Sequence, residues 1–387
     1  MLPAKNYSTL HGIRGVAALC IVVLHSPRLF GTAPAFLGMA VDLFFALSGF
    51  VLAHAYEDRL RRGMTPLEFL RRRWARLYPL YGLGLLLGIV HAVVCIQYGS
   101  PTEPWSWARL FTVLPFSLLM LPAPVTQVLF PLNGPMWSIF FELLANLLWV
   151  AFWRPLQSLR ALVVTVLVCG VLYSCAVYYW ETPAVGLTWE TFPGGLARVC
   201  CSFAAGLLIH RLRDRLRAPS VPPLLLMVSL PVMALTSPGP IAQLVSVVLV
   251  FPVIVLMGAR SEPWSATRGF YDRLGKASYC VYVLHRPLAA LVYGAALQFA
   301  GLRMEAFAPW GGVVFLGGLV VGGLLLTDRF ETPARWWLTR NLPRAEKQPR
   351  SVPSRDGLLL ATEGTGEQTA AVSSPRRPES SHDLEGA

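Results

Sequence analysis

Apolar residues in this chain gather into long runs separated by short, mostly basic connections. Gly15 to Leu24, Leu83 to Ile96, Ala161 to Val177 and Val313 to Leu326 are examples, each approaching the ~20 residues that cross a bilayer. The pattern predicts spans at roughly residues 12-31, 36-56, 75-97, 136-152, 159-179, 194-210, 221-236, 240-257, 277-300 and 308-328. A further apolar stretch, Trp107 to Leu121, is short and contains Pro115. If it crossed, Arg154 and Arg160 would fall outside, so it reads as re-entrant or interfacial. The expected fold is all-α: a polytopic membrane bundle of about ten helices over residues 1-338, followed by a disordered tail over 339-387.

Composition supports this reading. Hydrophobic residues are 55% of the 387 positions and charged residues 14%, a balance that one water-soluble core could not hide. The net charge of +12 raises the question of nucleic acid. The basic residues, however, cluster between apolar runs rather than on one amphipathic face, which argues for membrane topology and against nucleic acid. Arg59, Arg61, Arg62, Arg71, Arg72, Arg73 and Arg76 crowd one connection, which is expected to be cytoplasmic, while Ser100 to Trp105 and Trp180 to Pro193 are acidic or neutral. With ten crossings both termini lie in the cytoplasm, and the chain reads as a multi-pass protein of the inner, or plasma, membrane, with membrane lipid around it. The tail is rich in Pro, Ser, Glu, Arg and Gly and nearly devoid of aromatic residues. It cannot bury enough apolar area to fold. Lys5, Arg14 and the run to Leu24, followed by Ala33-Pro34-Ala35, imitate a signal peptide, but Arg14 and His25 inside the apolar stretch fit a functional helix better. The seven cysteines lack metal-ligand spacing and read as reduced, small apolar residues, with no metal site.

Ionisable residues within apolar spans are expensive and ask for a pairing or functional reason. Arg14 and His25 lie eleven residues apart on the first span, within about 20° of one face and ~16 Å apart along the axis. Asp42, about six residues into the second span, is expected in the same layer as His25. It would either orient the imidazole, leaving the other ring nitrogen as a general base, or form a purely structural polar pair. Glu142, counted from a span starting near Met136, reaches a similar depth. It could bind an acceptor hydroxyl, pair with a cation or cap a bundle contact. Arg73 and Arg76, within Arg71-Arg72-Arg73-Trp74-Ala75-Arg76, could fork onto phosphate oxygens or only signal topology. His285, ~12 Å from the cytoplasmic surface by helix rise, could face a donor. Ser48 reads as helix packing beside Gly49, and His11, His54, His91, His210 and His382 read as interfacial or tail residues.

The ordered set of these segments resembles the acyltransferase-3 family of membrane acyltransferases over roughly residues 7 to 335. It comprises Leu10-His11-Gly12-Ile13-Arg14-Gly15 with His25, Val41-Asp42-Leu43-Phe44-Phe45, Arg73-Trp74-Ala75-Arg76-Leu77-Tyr78-Pro79, Trp137-Ser138 with Glu142, and Ser278-Tyr279 with Tyr282 and His285. The resemblance implies about ten core helices, an acyl-CoA donor, expected to be acetyl-CoA, and no bound cofactor. It implies a hydroxyl acceptor on a carbohydrate or lipid-linked glycan, as in O-acetylation and other polysaccharide modification, and essential roles for Arg14 and His25. The expected mechanism has His25 as base and Asp42 as its orienting partner, with Arg14 supporting the donor. The rival reading is a proton-coupled secondary transporter or flippase relaying protons through His25, Asp42 and Glu142.

Overall fold

The computed structural model describes residues 7–99, 104–217, 219–236 and 239–341. The regular structure of the described residues is helical, with one isolated antiparallel bridge between Val128 and Thr188. The main helices are α1 (Ser8–His25), α2 (Ala40–Arg61), α3 (Pro66–Tyr98), α4 (Trp107–Leu118), α5 (Met136–Ala151), α6 (Leu159–Trp180), α7 (Phe192–Leu212), α8 (Pro223–Leu235), α9 (Pro240–Arg260), α10 (Ser265–Ala300) and α11 (Trp310–Asn341). Eight of them, all but α4, α5 and α8, are long and apolar enough to cross a membrane. The crossings expected over 136-152 and 221-236 are helices of 16 and 13 residues, short of the ~17–25 that a full span takes. The stretch expected not to cross forms the twelve-residue α4. Of the tail expected over 339-387, residues to Asn341 complete α11 and the rest lies outside the described residues.

Two helices begin well before the hydropathy signal does. Helix α3 starts at Pro66, with Thr65 capping the Glu68 amide, and takes the whole arginine cluster into its first turns. Helix α10 starts at Ser265 rather than near 277. Arginine and lysine are good helix formers, so the helices continue past the point where polarity marks the end of an apolar run.

Small residues set the closest approaches. Gly15 of α1 lies against Leu274 of α10, and Gly49 of α2 and Gly206 of α7 each face a partner carbonyl, of Phe203 and Ala46 respectively. A Cβ at any of these positions would collide with its neighbour, so these helix pairs touch nearly backbone to backbone. Helices α1 and α10 run in the same direction, since His11 meets Gly275 near one end and His25 meets His285 farther along. Outward faces of α6 and α11 expose Leu167, Val171, Leu172, Val314 and Leu325, as a lipid-facing wall requires. The segment between α4 and α5 is drawn inward, burying Leu129, Phe130, Leu132 and Asn133.

Candidate active site

Two linked polar centres inside the bundle bear on its chemistry. The first is a cavity of about 290 Å³ among α1, α2, α3, α5 and α10. Arg14, Arg73 and Arg76 line it together with Glu142, Ser48 and Tyr282, so three guanidinium groups meet one carboxylate. Arg73 and Arg76 are three residues apart on α3 and therefore share a face, whereas Arg72 points away and pairs with Glu68 at 2.8 Å. Arg73 is buried and its Nη2 donates to Glu142 Oε1 at 2.6 Å; Ser48 Oγ donates to the same oxygen at 2.7 Å. Arg14 Nη2 donates to the Gly275 carbonyl at 2.9 Å. The Nε groups of Arg14 and Arg73 are buried without an acceptor among the described residues. A cavity lined by three guanidinium groups and one carboxylate is suited to a phosphate or another oxyanion.

The second centre is a histidine pair. His25 Nδ1 and His285 Nε2 are 2.8 Å apart, and His285 Nδ1 lies 2.6 Å from the Tyr282 carbonyl. A carbonyl oxygen only accepts, so His285 carries its proton on Nδ1. With both rings neutral, His285 Nε2 must then accept from His25 Nδ1–H, and His25 Nε2 is left with a lone pair. This is the tautomer a general base needs. Tyr282 joins the two centres: its side chain lines the cavity and bonds Ser138 Oγ at 2.6 Å, while its carbonyl holds His285.

The structure redistributes the expected partners. Arg14, Arg73 and Arg76 do converge, and Glu142 joins them rather than the layer of His25. A depth counted from Met136 takes that residue to be at the surface, but the preceding segment folds inward and α5 begins buried, at Met136 and Trp137. Asp42 does not orient His25. Its carboxylate is fully buried and bidentate with Arg198, 2.8 Å to Nε and 2.6 Å to Nη2. Helix rise gave its depth, but its face on α2 looks toward α7, where Arg198 stands. His285 lies level with His25 and bonds it: ten residues separate it from Gly275, a rise of ~15 Å, which matches the ~16 Å between Arg14 and His25. Ser48 is more than packing, since it holds Glu142. His11 and His54 also line the cavity. Arg198 was missed, although an arginine in an apolar run is the signal that picked out Arg14. Nothing in the sequence marked the pairing of His25 with His285, because it joins residues 260 positions apart. None of the seven cysteines is in a disulfide, and no cluster of metal-ligating side chains occurs among the described residues.

Comparison with known proteins fits these features. A family model described as an acyltransferase domain matches residues 7–329. A protein described as "Protein 2 in picA locus" from Rhizobium radiobacter is 43% identical over 187 residues, 45% of this chain and 96% of that protein. The "Acyltransferase MdmB" of Streptomyces mycarofaciens is 27% identical over 199 residues, covering 48% of this chain and about half, 49%, of the relative. No solved structure matches.

Proposed function

The chain belongs to the acyltransferase-3 family of membrane acyltransferases, and from that premise we propose that it moves an acyl group, acetyl in the first instance, from acyl-CoA to a hydroxyl of a carbohydrate or lipid-linked glycan. The observation that carries this reading is the arginine-lined cavity ending at Tyr282, whose own carbonyl sets the tautomer of the His285–His25 pair. The cavity volume, about 290 Å³, is just below the ~300–1,000 Å³ typical of ligand pockets. It suits the pantetheine arm and acyl group of a donor rather than a whole nucleotide. Arg14, Arg73 and Arg76 would meet the donor's phosphates near the mouth. The positive-inside pattern of the basic connections supports a cytoplasmic mouth, with the protein in the plasma membrane.

In this mechanism His25 Nε2 takes the proton of the acceptor hydroxyl as its oxygen attacks the thioester carbonyl. The C–S bond then breaks, the proton passes to the departing sulfur, and free coenzyme A and the acyl ester leave. His285 fixes the ring of His25, and no acyl-enzyme forms. Glu142, held by Arg73 and Ser48, shapes the donor end. The test is incubation of purified protein with radiolabelled acetyl-CoA and membrane glycolipid extract, following thiol release and label transfer. Wild-type turnover that disappears in His25→Ala is expected. Absence of thiol release with acetyl-CoA and with longer acyl-CoAs would overturn the reading.

A further inference from the structure

We propose that Asn133 is a positioning residue for the histidine pair, acting through the backbone of α10. The inference rests on the functional reading just given for its catalytic part, and on geometry alone for its structural part. Pro287 lies inside α10. A proline has no N–H, so the carbonyl four residues earlier loses its helical donor. That carbonyl belongs to Val283, in the turn that also carries Tyr282 and His285. Asn133 Nδ2 donates to it at 3.0 Å, in a buried bond spanning 150 positions. Here a side chain from outside the helix supplies the donor that the proline removed.

The surroundings are arranged around this contact. Asn133 is buried in the inward-folded segment before α5, and its own carbonyl accepts from the Met136 amide at 3.0 Å, opening α5. Gly84 of α3 makes room: a Cβ there would stand 2.5 Å from Val283 Cγ1 and 3.2 Å from Asn133 Nδ2. One turn along α3, Gly88 seats the Leu132 carbonyl in the same way. Five residues beyond Asn133, Ser138 bonds the Tyr282 hydroxyl. The start of α5 therefore grips the turn 282–285 at two points. Without the Asn133 bond, a buried carbonyl next to His285 is left without the donor that Pro287 removes, and that turn is free to shift. A proton-transfer geometry loses rate steeply on displacements of about an ångström.

The decisive experiment is a double-mutant cycle between Asn133→Leu, which keeps the branched shape but removes the donor, and Pro287→Ala, which returns a backbone N–H to the Val283 carbonyl. Thermal unfolding of the purified full-length chain reads the bond itself, whatever the enzyme's substrate. Asn133→Leu should lower the midpoint by several degrees with Pro287 present and by much less in the Pro287→Ala background. Equal drops in both backgrounds would overturn the inference. Turnover of acetyl-CoA reads the positioning: in Asn133→Leu, kcat should fall at least ~10-fold while donor Kd stays within ~3-fold. A kcat like that of the wild type, or a loss of donor affinity as large as the loss of kcat, would also overturn it. A wild type without turnover would sink the acyltransfer reading alone, since the unfolding cycle still decides the contact.

Discussion

Asp42 and Arg198 separate a structural role from a catalytic one. The two side chains are 0% and 1% exposed and share two hydrogen bonds, and the Arg198 guanidinium also lies 5.5 Å from the Trp137 ring centre. Asp42→Leu leaves that guanidinium buried with only the Val185 carbonyl, 3.2 Å from Nη1, as a hydrogen-bond partner among the described residues. Breaking a buried pair in this way costs about 3–5 kcal/mol. At ~2–4 °C per kcal/mol for a domain above 150 residues, the unfolding midpoint should fall by ~6–20 °C. Replacing both partners, Asp42→Leu with Arg198→Met, removes the orphaned charge, and such exchanges are often neutral or stabilising by ~1–4 kcal/mol. The assay is the thermal midpoint of detergent-purified single and double variants, with acetyl-CoA turnover beside it. The double variant should recover both folding and most of the activity. A single variant as stable as wild type, or a double variant that folds well but is inactive, would refute a purely structural role for Asp42.

Other outcomes follow from the same geometry. His285→Ala frees the His25 ring to take the wrong tautomer and should cost ~10²-fold or more in kcat with donor Kd little changed, read by thiol release. Arg73→Ala removes the charged partner of Glu142 and a phosphate donor; it should weaken donor binding by ~1.5–3 kcal/mol and flatten the salt dependence of donor Kd. Ser48→Ala removes one of two donors to Glu142 and should lower donor affinity less than Arg73→Ala does, by titration under the same conditions. Gly206→Leu forces α7 off α2 and should cost at least ~1–3 kcal/mol of stability, seen as lost folded protein on size-exclusion chromatography.

Much of the bundle was legible because lipid imposes a coarse rule that any long apolar run displays. What hydropathy could not mark was where a helix continues beyond the apolar run, as at Pro66 and Ser265, or where a segment folds inward, as before Met136. The inward fold before Met136 moved Glu142 from its expected layer. Arg14 and His25 were recognisable as costly residues on one face of one helix, and the arginines at 73 and 76 as a cluster. Partner choice was not recognisable. Helix rise assigns depth along each helix, but the face that a residue shows depends on which helices pack together. That is decided by contacts such as Gly49 with Phe203, far apart in the chain. The Asn133 bond was hidden for the same reason, although Pro287 announced that a carbonyl would need a donor.

The central claim is that His25 performs chemistry while the arginine cavity performs binding. Measuring donor affinity and turnover side by side in His25→Ala tests it most directly. Acetyl-CoA should bind within ~3-fold of wild type while thiol release and label transfer fall to background. Turnover retained in the variant, or donor binding lost along with it, would contradict the account.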